Sequence, residues 1–241
     1  MSTLVLIRHA QASFLEANYD KLSALGETQS TLLGGHLVNL GYRFDHVYMG
    51  PRDRQQKTCA LVGRVFKDAG LDWPEPLLTP ELDEYQGEEL LKRALPRLMS
   101  NDVHLQTLAA AFAQSEQDDK TVRMKTFQKM FEHVMRGWAR GEINEEGVEP
   151  WIEFHARIGR FIEKMRAGAG KGARVIAFTS GGTVAGVMQH ALKLDHVTAI
   201  EMSWMVRNAS LTEVAFNPER LTLSAFNAVP HLQHEKLITY R

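Results

Sequence analysis

Only one of the 241 residues is cysteine, Cys59. A lone thiol excludes an internal disulfide and every zinc site built on two to four thiolates. The ten histidines are scattered, with no His-x-x-x-His pair, so spacing points to no metal and no cofactor. An excess of charge of one sign is also missing: 28 Lys and Arg stand against 29 Asp and Glu, a formal net charge of −1. Bulk charge therefore gives no case for nucleic acid or for an anionic membrane. No run approaches the roughly 18 consecutive apolar residues of a membrane span. The opening segment Met1 to Ile7 reaches Arg8 without a basic region before it, unlike a secretory signal. The expectation is a soluble, cytoplasmic chain in a reducing compartment. Repeats and low-complexity tracts are absent. With 44% hydrophobic and 24% charged residues, disorder over the whole chain is excluded.

What is present is an alternation of short branched-apolar runs with amphipathic stretches. Leu4 to Ile7 reads as a strand buried on both faces. It ends in Arg8-His9, at the strand edge where open α/β sheets bind ligands. Leu25, Leu32, Leu33, Leu37 and Leu40 follow at mostly helical spacing, with Gly41 as a stop. Phe44 to Tyr48 reads as a second strand; Cys59, Val62, Phe66 and Ala69 form a second helical face, closed by Gly70. Residues 71–87 are Pro-rich and irregular around Leu77-Leu78. From 88 to 147 there is no strand signal, so this block reads as a helical insertion. Within it the polar run Gln114 to Asp119 reads as a solvated connection. Met124, Phe127, Phe131, Val134 and Trp138 make one helical stripe, and Trp151, Phe154, Ile158, Phe161 and Met165 another; both read as packing faces. Arg174 to Phe178 resumes the buried strands and runs through Thr179-Ser180-Gly181-Gly182 into a helix past Val187 and Ala191. Ser210 to Phe216 and Leu221 to Phe226 read as strands around Asn217-Pro218, and 232–241 as a polar, flexible or surface end. The fold expected is one α/β domain over 1–241: a three-layer α/β/α sandwich, mostly parallel, with 88–147 as a lid over the strand ends.

Four segments have the residue types for chemistry. Arg8-His9 pairs a permanent cation with the side chain best suited to act as nucleophile or base near neutral pH. Gly50-Pro51-Arg52-Asp53-Arg54 places two guanidiniums at a helix start, where free N–H groups attract anions. Leu82-Asp83-Glu84 offers a carboxylate in an irregular loop. Ser180-Gly181-Gly182 permits close backbone approach to a ligand, without the pattern of a nucleophile elbow or a P-loop. Each has a plainer reading: a satisfied histidine, a basic first turn, a solvated carboxylate, a tight turn.

In order and spacing these segments resemble the histidine phosphatase superfamily, also called phosphoglycerate-mutase-like. Leu6-Ile7-Arg8-His9-Ala10 is similar to its Arg-His-Gly signature, with Ala10 in the glycine place. Leu22 to Gln29 is similar to its Leu-Thr-x-x-Gly-x-x-Gln stretch, and Gly50 to Thr58 to its Ser-Pro-Leu-x-Arg-Ala-x-Gln-Thr segment, with Lys57 where glutamine is usual. Leu82-Asp83-Glu84 resembles the Leu-x-Glu segment, and Gly181-Gly182 the Ser-His-Gly-Gly turn. Asn208 to Thr212 and Asn227 to Leu232 are also similar to family segments. The resemblance covers roughly 3–87 and 173–232.

The resemblance implies a metal-independent phosphomonoester hydrolase acting on a small phosphorylated substrate. His9 would carry a phosphohistidine and Glu84 would serve as acid and base. Arg8, Arg54, Ser180 and Gly181 would bind phosphate, and Gln11 and Ser13 the rest of the substrate. Ser180 stands where the family has a second histidine. A hydroxyl donates a hydrogen bond but no charge, and losing such a donor costs about 2.7–4 kcal/mol of transition-state stabilisation. Sequence leaves open whether His155, His190 or His231 takes that place. It also leaves open a non-catalytic phosphate-ligand or phosphoprotein binder, a phosphoglycerate-type mutase, and the oligomeric state.

Overall fold

The computed structural model describes residues 1–13, 20–115 and 120–240. In chain order the elements are β1 (Ser2–Arg8), α1 (Ala24–Asn39), β2 (His46–Met49), α2 (Asp53–Asp68), β3 (Leu77–Leu78), a 3-10 turn (Pro80–Leu82), α3 (Gly87–Asn101), α4 (Val103–Gln114) and α5 (Lys120–Ala139). After these come α6 (Trp151–Gly168), β4 (Arg174–Thr179), α7 (Gly181–Leu192), α8 (His196–Met205), β5 (Leu211–Phe216) and β6 (Leu221–Ala228). The strands form one mixed sheet in the order β3-β2-β4-β1-β5-β6. β3, β2, β4 and β1 run parallel; β5 pairs antiparallel with β1, and β6 antiparallel with β5, at one side.

The continuous apolar runs are explained by the layers. Leu4 to Ile7 and Val175 to Phe178 have no exposed surface. Alternate side chains enter opposite cores. Val5, Ile7, Ile176 and Phe178 pack with Leu33, Leu37, Val62 and Phe66 beneath α1 and α2. Leu4, Leu6, Val175 and Ala177 pack with Phe154, Ile158, Phe161, Val184 and Val187 beneath α6 and α7. Cys59 lies wholly buried in the first of these cores. Each fully buried Leu, Ile, Val or Phe contributes roughly 1.5–3 kcal/mol, so two cores sharing one sheet hold the strand ends rigidly in place. Ser23 caps α1, its Oγ accepting from Gly26 N at 3.0 Å. Gly41 and Gly70 sit just beyond α1 and α2 at φ of 71° and 70°, a conformation costly for other residues.

Among the described residues between β3 and β4 there is no strand, and the regular elements are the 3-10 turn and α3 to α6. Leu90, Leu91, Ala94, Val134 and Trp138 of α3 and α5 belong to the same apolar cluster as Leu4 and Leu6. Trp138 and Trp151, 1% and 3% exposed, meet edge to face at 5.0 Å, as packing residues.

The structure differs from the sequence reading at four places. β3 is a two-residue edge strand of exposed Leu77 and Leu78, too short to give a periodic signal. α8 occupies a stretch to which the sequence pattern assigned no element; it starts at Asp195, whose carboxylate accepts from Thr198 N at 3.0 Å. Ser115, in the run read as solvated, is buried and lies 3.1 Å from Thr126 Oγ1; 116–119 fall outside the described residues. The tail lies largely at the surface, as one of its two readings had it, but it is tethered rather than loose. Thr239 O accepts from Asn208 N at 2.9 Å, and Gln29 Nε2 donates to Leu237 O at 2.7 Å.

Candidate active site

The parallel strands deliver their C-terminal ends to one place. His9 N donates to Thr179 O at 2.8 Å and Gly50 N to Phe178 O at 3.0 Å, so the loops after β1, β2 and β4 are laced together. Beside them opens a cleft of about 570 Å³, whose wall includes Arg8, His9, Arg52, Arg54, Glu84, Gly181 and Gly182.

His9 is 5% exposed, and its two ring nitrogens have different partners. Nδ1 lies 2.8 Å from Ala10 O, which can only accept. Arg54 Nε, which can only donate, lies 3.0 Å from Nε2. Both contacts require the neutral tautomer with the proton on Nδ1 and a lone pair on Nε2. Burial, then the Arg54 and Arg8 charges, holds the imidazole well below its ordinary pKa, so the ring stays neutral. Arg54 is itself fixed, with Nη1 donating to Asp20 Oδ1 at 2.6 Å. Thr58 Oγ1 donates to Arg54 O at 2.7 Å and accepts from Ala10 N at 3.1 Å, which ties α2 to the loop after β1. Arg8 Nη1 donates to Val206 O.

Glu84 lies across the cleft, half-buried. Its Oε2 accepts from Gly182 N at 3.2 Å and its Oε1 from Tyr85 N at 3.0 Å. Burial raises its pKa above the ordinary glutamate value, against the opposing pull of the Gly182 N–H and the Arg54 charge. The direction of the shift suits a group that must give up a proton and take it back. The loop before it is anchored through its carbonyls. Thr179 Oγ1 donates to Leu82 O at 2.7 Å, Thr183 Oγ1 to Asp83 O at 2.8 Å, and Arg157 Nη1 to Glu81 O at 2.8 Å and Asp83 O at 3.1 Å. Arg52 Nε meets Asp83 Oδ1 at 2.5 Å. Gly182 is required: a Cβ there would stand 2.2 Å from Glu84 Oε1.

Arg8, His9, Arg54, Glu84 and Gly181 thus come together. Three other expected site residues do not line the cleft. Ser180 is fully buried, and its Oγ accepts from Gln55 Nε2 at 2.8 Å. Gln11 faces α1: its N donates to Gln29 Oε1 at 2.9 Å and its Oε1 accepts from Ser23 Oγ at 2.8 Å. Ser13 is buried, with its N donating to Lys21 O at 2.7 Å. The histidines considered as substitutes lie elsewhere. His155 and His190 stack at 4.0 Å between α6 and α7, and His231 packs beside His36 at 6.0 Å. Among the described lining residues His9 is the only histidine. No group of three His, Cys, Asp or Glu among the described residues is placed to hold a metal ion.

Sequence reasoning missed part of the wall: Tyr85, Gln86, Gln128, Ser203, Trp204 and Tyr240. Ser203 and Trp204 come from α8, and Tyr240 from the tail, neither of which carries a local signal. Phe127 and Phe131, half-buried, were legible only as part of a packing stripe.

The sequence of residues 114–229 matches the model of the histidine phosphatase superfamily (branch 1). Phosphoglycerate mutase from Bacillus anthracis has a similar structure, with a TM-score of 0.61 at 17% identity over 95% of this chain and 94% of that one. A mycobacterial glucosyl-3-phosphoglycerate phosphatase, solved with inorganic phosphate, gives 0.62 at 21% identity over 96% and 99%. Phosphoserine phosphatase from Entamoeba histolytica gives 0.62 at 14% identity over 96% and 100%. No protein of curated function matches the sequence. The fold is therefore the α/β fold of phosphoglycerate-mutase-like proteins. The resemblance to the histidine phosphatase superfamily stands, in fold over nearly the whole chain and in sequence over 114–229.

Proposed function

We propose that this chain is a phosphomonoester hydrolase that works through a phosphohistidine on His9. One observation carries the reading: Arg54 Nε and Ala10 O together hold a neutral imidazole with its Nε2 lone pair beside two guanidiniums. In the first step a phosphoryl oxygen takes the Arg54 Nε–H in place of Nε2, and the freed Nε2 lone pair attacks phosphorus as the bond to the alcohol oxygen breaks. Glu84 gives its proton to that oxygen, and the alcohol leaves. Arg8 and Arg54 offset the charge on the phosphoryl oxygens, where a preorganised cation contributes most. In the second step Glu84, now a carboxylate, takes a proton from water. The water oxygen bonds to phosphorus, the P–N bond breaks, and inorganic phosphate leaves with His9 neutral again.

Neither step requires a metal ion, because the guanidiniums supply the positive charge. The substrate is a small phosphorylated molecule rather than a nucleic acid, in keeping with the near-zero net charge. Among the described residues no helix is long and apolar enough to cross a membrane.

The test is hydrolysis of p-nitrophenyl phosphate in excess chelator by the native chain and by His9→Ala, with acid quenching to trap labelled phosphate. Turnover and acid-labile label on the native chain alone support the proposal. Equal background rates in both, with inorganic phosphate still bound, would leave a non-catalytic phosphate-binding protein. Phosphate returned to a second hydroxyl of a phosphoglycerate rather than to water would make it a mutase.

A further inference from the structure

We infer that the alcohol portion of the substrate is an uncharged aromatic body, received by the ring-lined part of the cleft wall. This rests on the phosphomonoesterase reading above. The cleft lining falls into two chemical sets, which meet where Arg8 Nη1 donates to Val206 O, two residues past Trp204. The lining cations among the described residues, Arg8, Arg52 and Arg54, all lie at the strand-end side, and Arg52 is paired with Asp83. The rest of the wall carries Tyr85, Phe127, Phe131, Trp204 and Tyr240.

Tyr240 is exposed, with the Arg207 guanidinium 5.9 Å from its ring; the other four rings are backed by packing and form a stiff surface. Phe127 and Phe131 lie near parallel, 26° apart at 6.3 Å, on successive turns of α5. Phe112 of α4 supports Phe127 at 5.9 Å. Tyr85 rests on Trp138 at 5.3 Å and Phe154 at 5.9 Å. The Arg136 guanidinium covers the Trp204 ring at 5.0 Å and is held there by Glu132 and Glu201. That cation is thus engaged by two carboxylates. An aromatic guest would gain ring contacts here beyond the area it buries.

A second carboxylate on the substrate would be poorly received. The lining residues beyond the strand ends include Glu88 and Glu89, and the cation beside Glu89 is Arg93, with which it pairs. A phosphoglycerate would bring its carboxylate toward like charges. The volume of about 570 Å³ suits a phosphoryl group joined to one or two fused rings.

The test compares 2-naphthylmethyl phosphate, ethyl phosphate and 3-phosphoglycerate. The first two release primary alcohols of similar acidity, so a difference in kcat/KM reports the body and not the leaving group. The expected result is a kcat/KM for the naphthylmethyl ester at least about tenfold above the other two. Phe127→Leu and Phe131→Leu, each checked for unchanged circular dichroism, should lower the naphthylmethyl-to-ethyl ratio several-fold. Equal kcat/KM for the naphthylmethyl and ethyl esters, or best turnover of 3-phosphoglycerate, overturns the inference. If no ester is hydrolysed, the hydrolase reading fails separately, and the body is read by calorimetry. Naphthylmethylphosphonate binding at least about tenfold tighter than ethylphosphonate supports the aromatic wall, and equal affinities overturn it.

Discussion

At the scale of single residues, burial shifts the two groups proposed for catalysis in opposite directions. It lowers the pKa of His9 and raises that of Glu84. Glu84→Gln should lower kcat/KM for ethyl phosphate by about 10²–10⁴, and for p-nitrophenyl phosphate far less, because nitrophenolate leaves without a proton. The rate with ethyl phosphate should fall as pH rises through the raised Glu84 pKa, and a pH–rate profile of wild type and variant shows whether that limb disappears. Gly182→Ala should reproduce much of this loss. Its methyl would stand 2.2 Å from Glu84 Oε1 and 2.3 Å from Tyr85 Cδ1, so the carboxyl must move. Overpacking of this kind costs about 1–3 kcal/mol, which thermal unfolding would report. Arg8, His9, Arg54 and Glu84 were legible because each follows a strong strand or sits in a motif of fixed order. The environment of Ser180 was not: its partner Gln55 lies 125 positions away and nothing in the spacing announces the pair.

At the scale of elements, the loop that carries Glu84 is held from outside by α6. Arg157 donates from Nη1 to the carbonyls of Glu81 and Asp83, and its Nε and Nη2 grip Glu149, both at 2.8 Å. The side chain is only 13% exposed. Arg157→Met keeps the aliphatic stem but orphans these acceptors and the Glu149 charge, so we expect a loss of about 3 kcal/mol in urea unfolding. We also expect a larger drop in kcat than rise in KM, since the acid loop loosens while the arginines remain. A stability loss with unchanged kcat would show that α6 supports the fold only. The long elements were readable from periodicity and glycine stops. β3 was not, because two exposed leucines make no pattern, and neither was α8, whose apolar residues fall on no clear stripe.

At the scale of the whole molecule, buried neutral histidines tie stability to pH. His231 is 6% exposed, and burial, then the nearby His36, pushes its pKa down to about 4. Between about pH 6.5 and 4 the unfolded chain binds a proton that the folded chain refuses. Stability is therefore full above this window and falls as pH drops through it, by roughly 3 kcal/mol for this one group. His231→Gln should flatten the acid side of a stability profile taken from urea melts at several pH values; an unchanged slope would show that His231 does not titrate this way. The layered architecture was legible because the runs 4–7 and 174–178 lack alternation. The tethered tail was not, since a polar sequence gives no hint that Asn208 bonds both Thr239 and, through Nδ2, the carbonyl of His9 at 3.2 Å.

The single cysteine, on the buried face of α2, has one practical consequence. Burial raises its thiol pKa to about 12, so the native chain is blank to maleimide dyes. A cysteine introduced at exposed Val122, on the helix that also bears Phe127 and Phe131, would take one fluorophore without background, turning that wall into something whose movement is watched directly in solution.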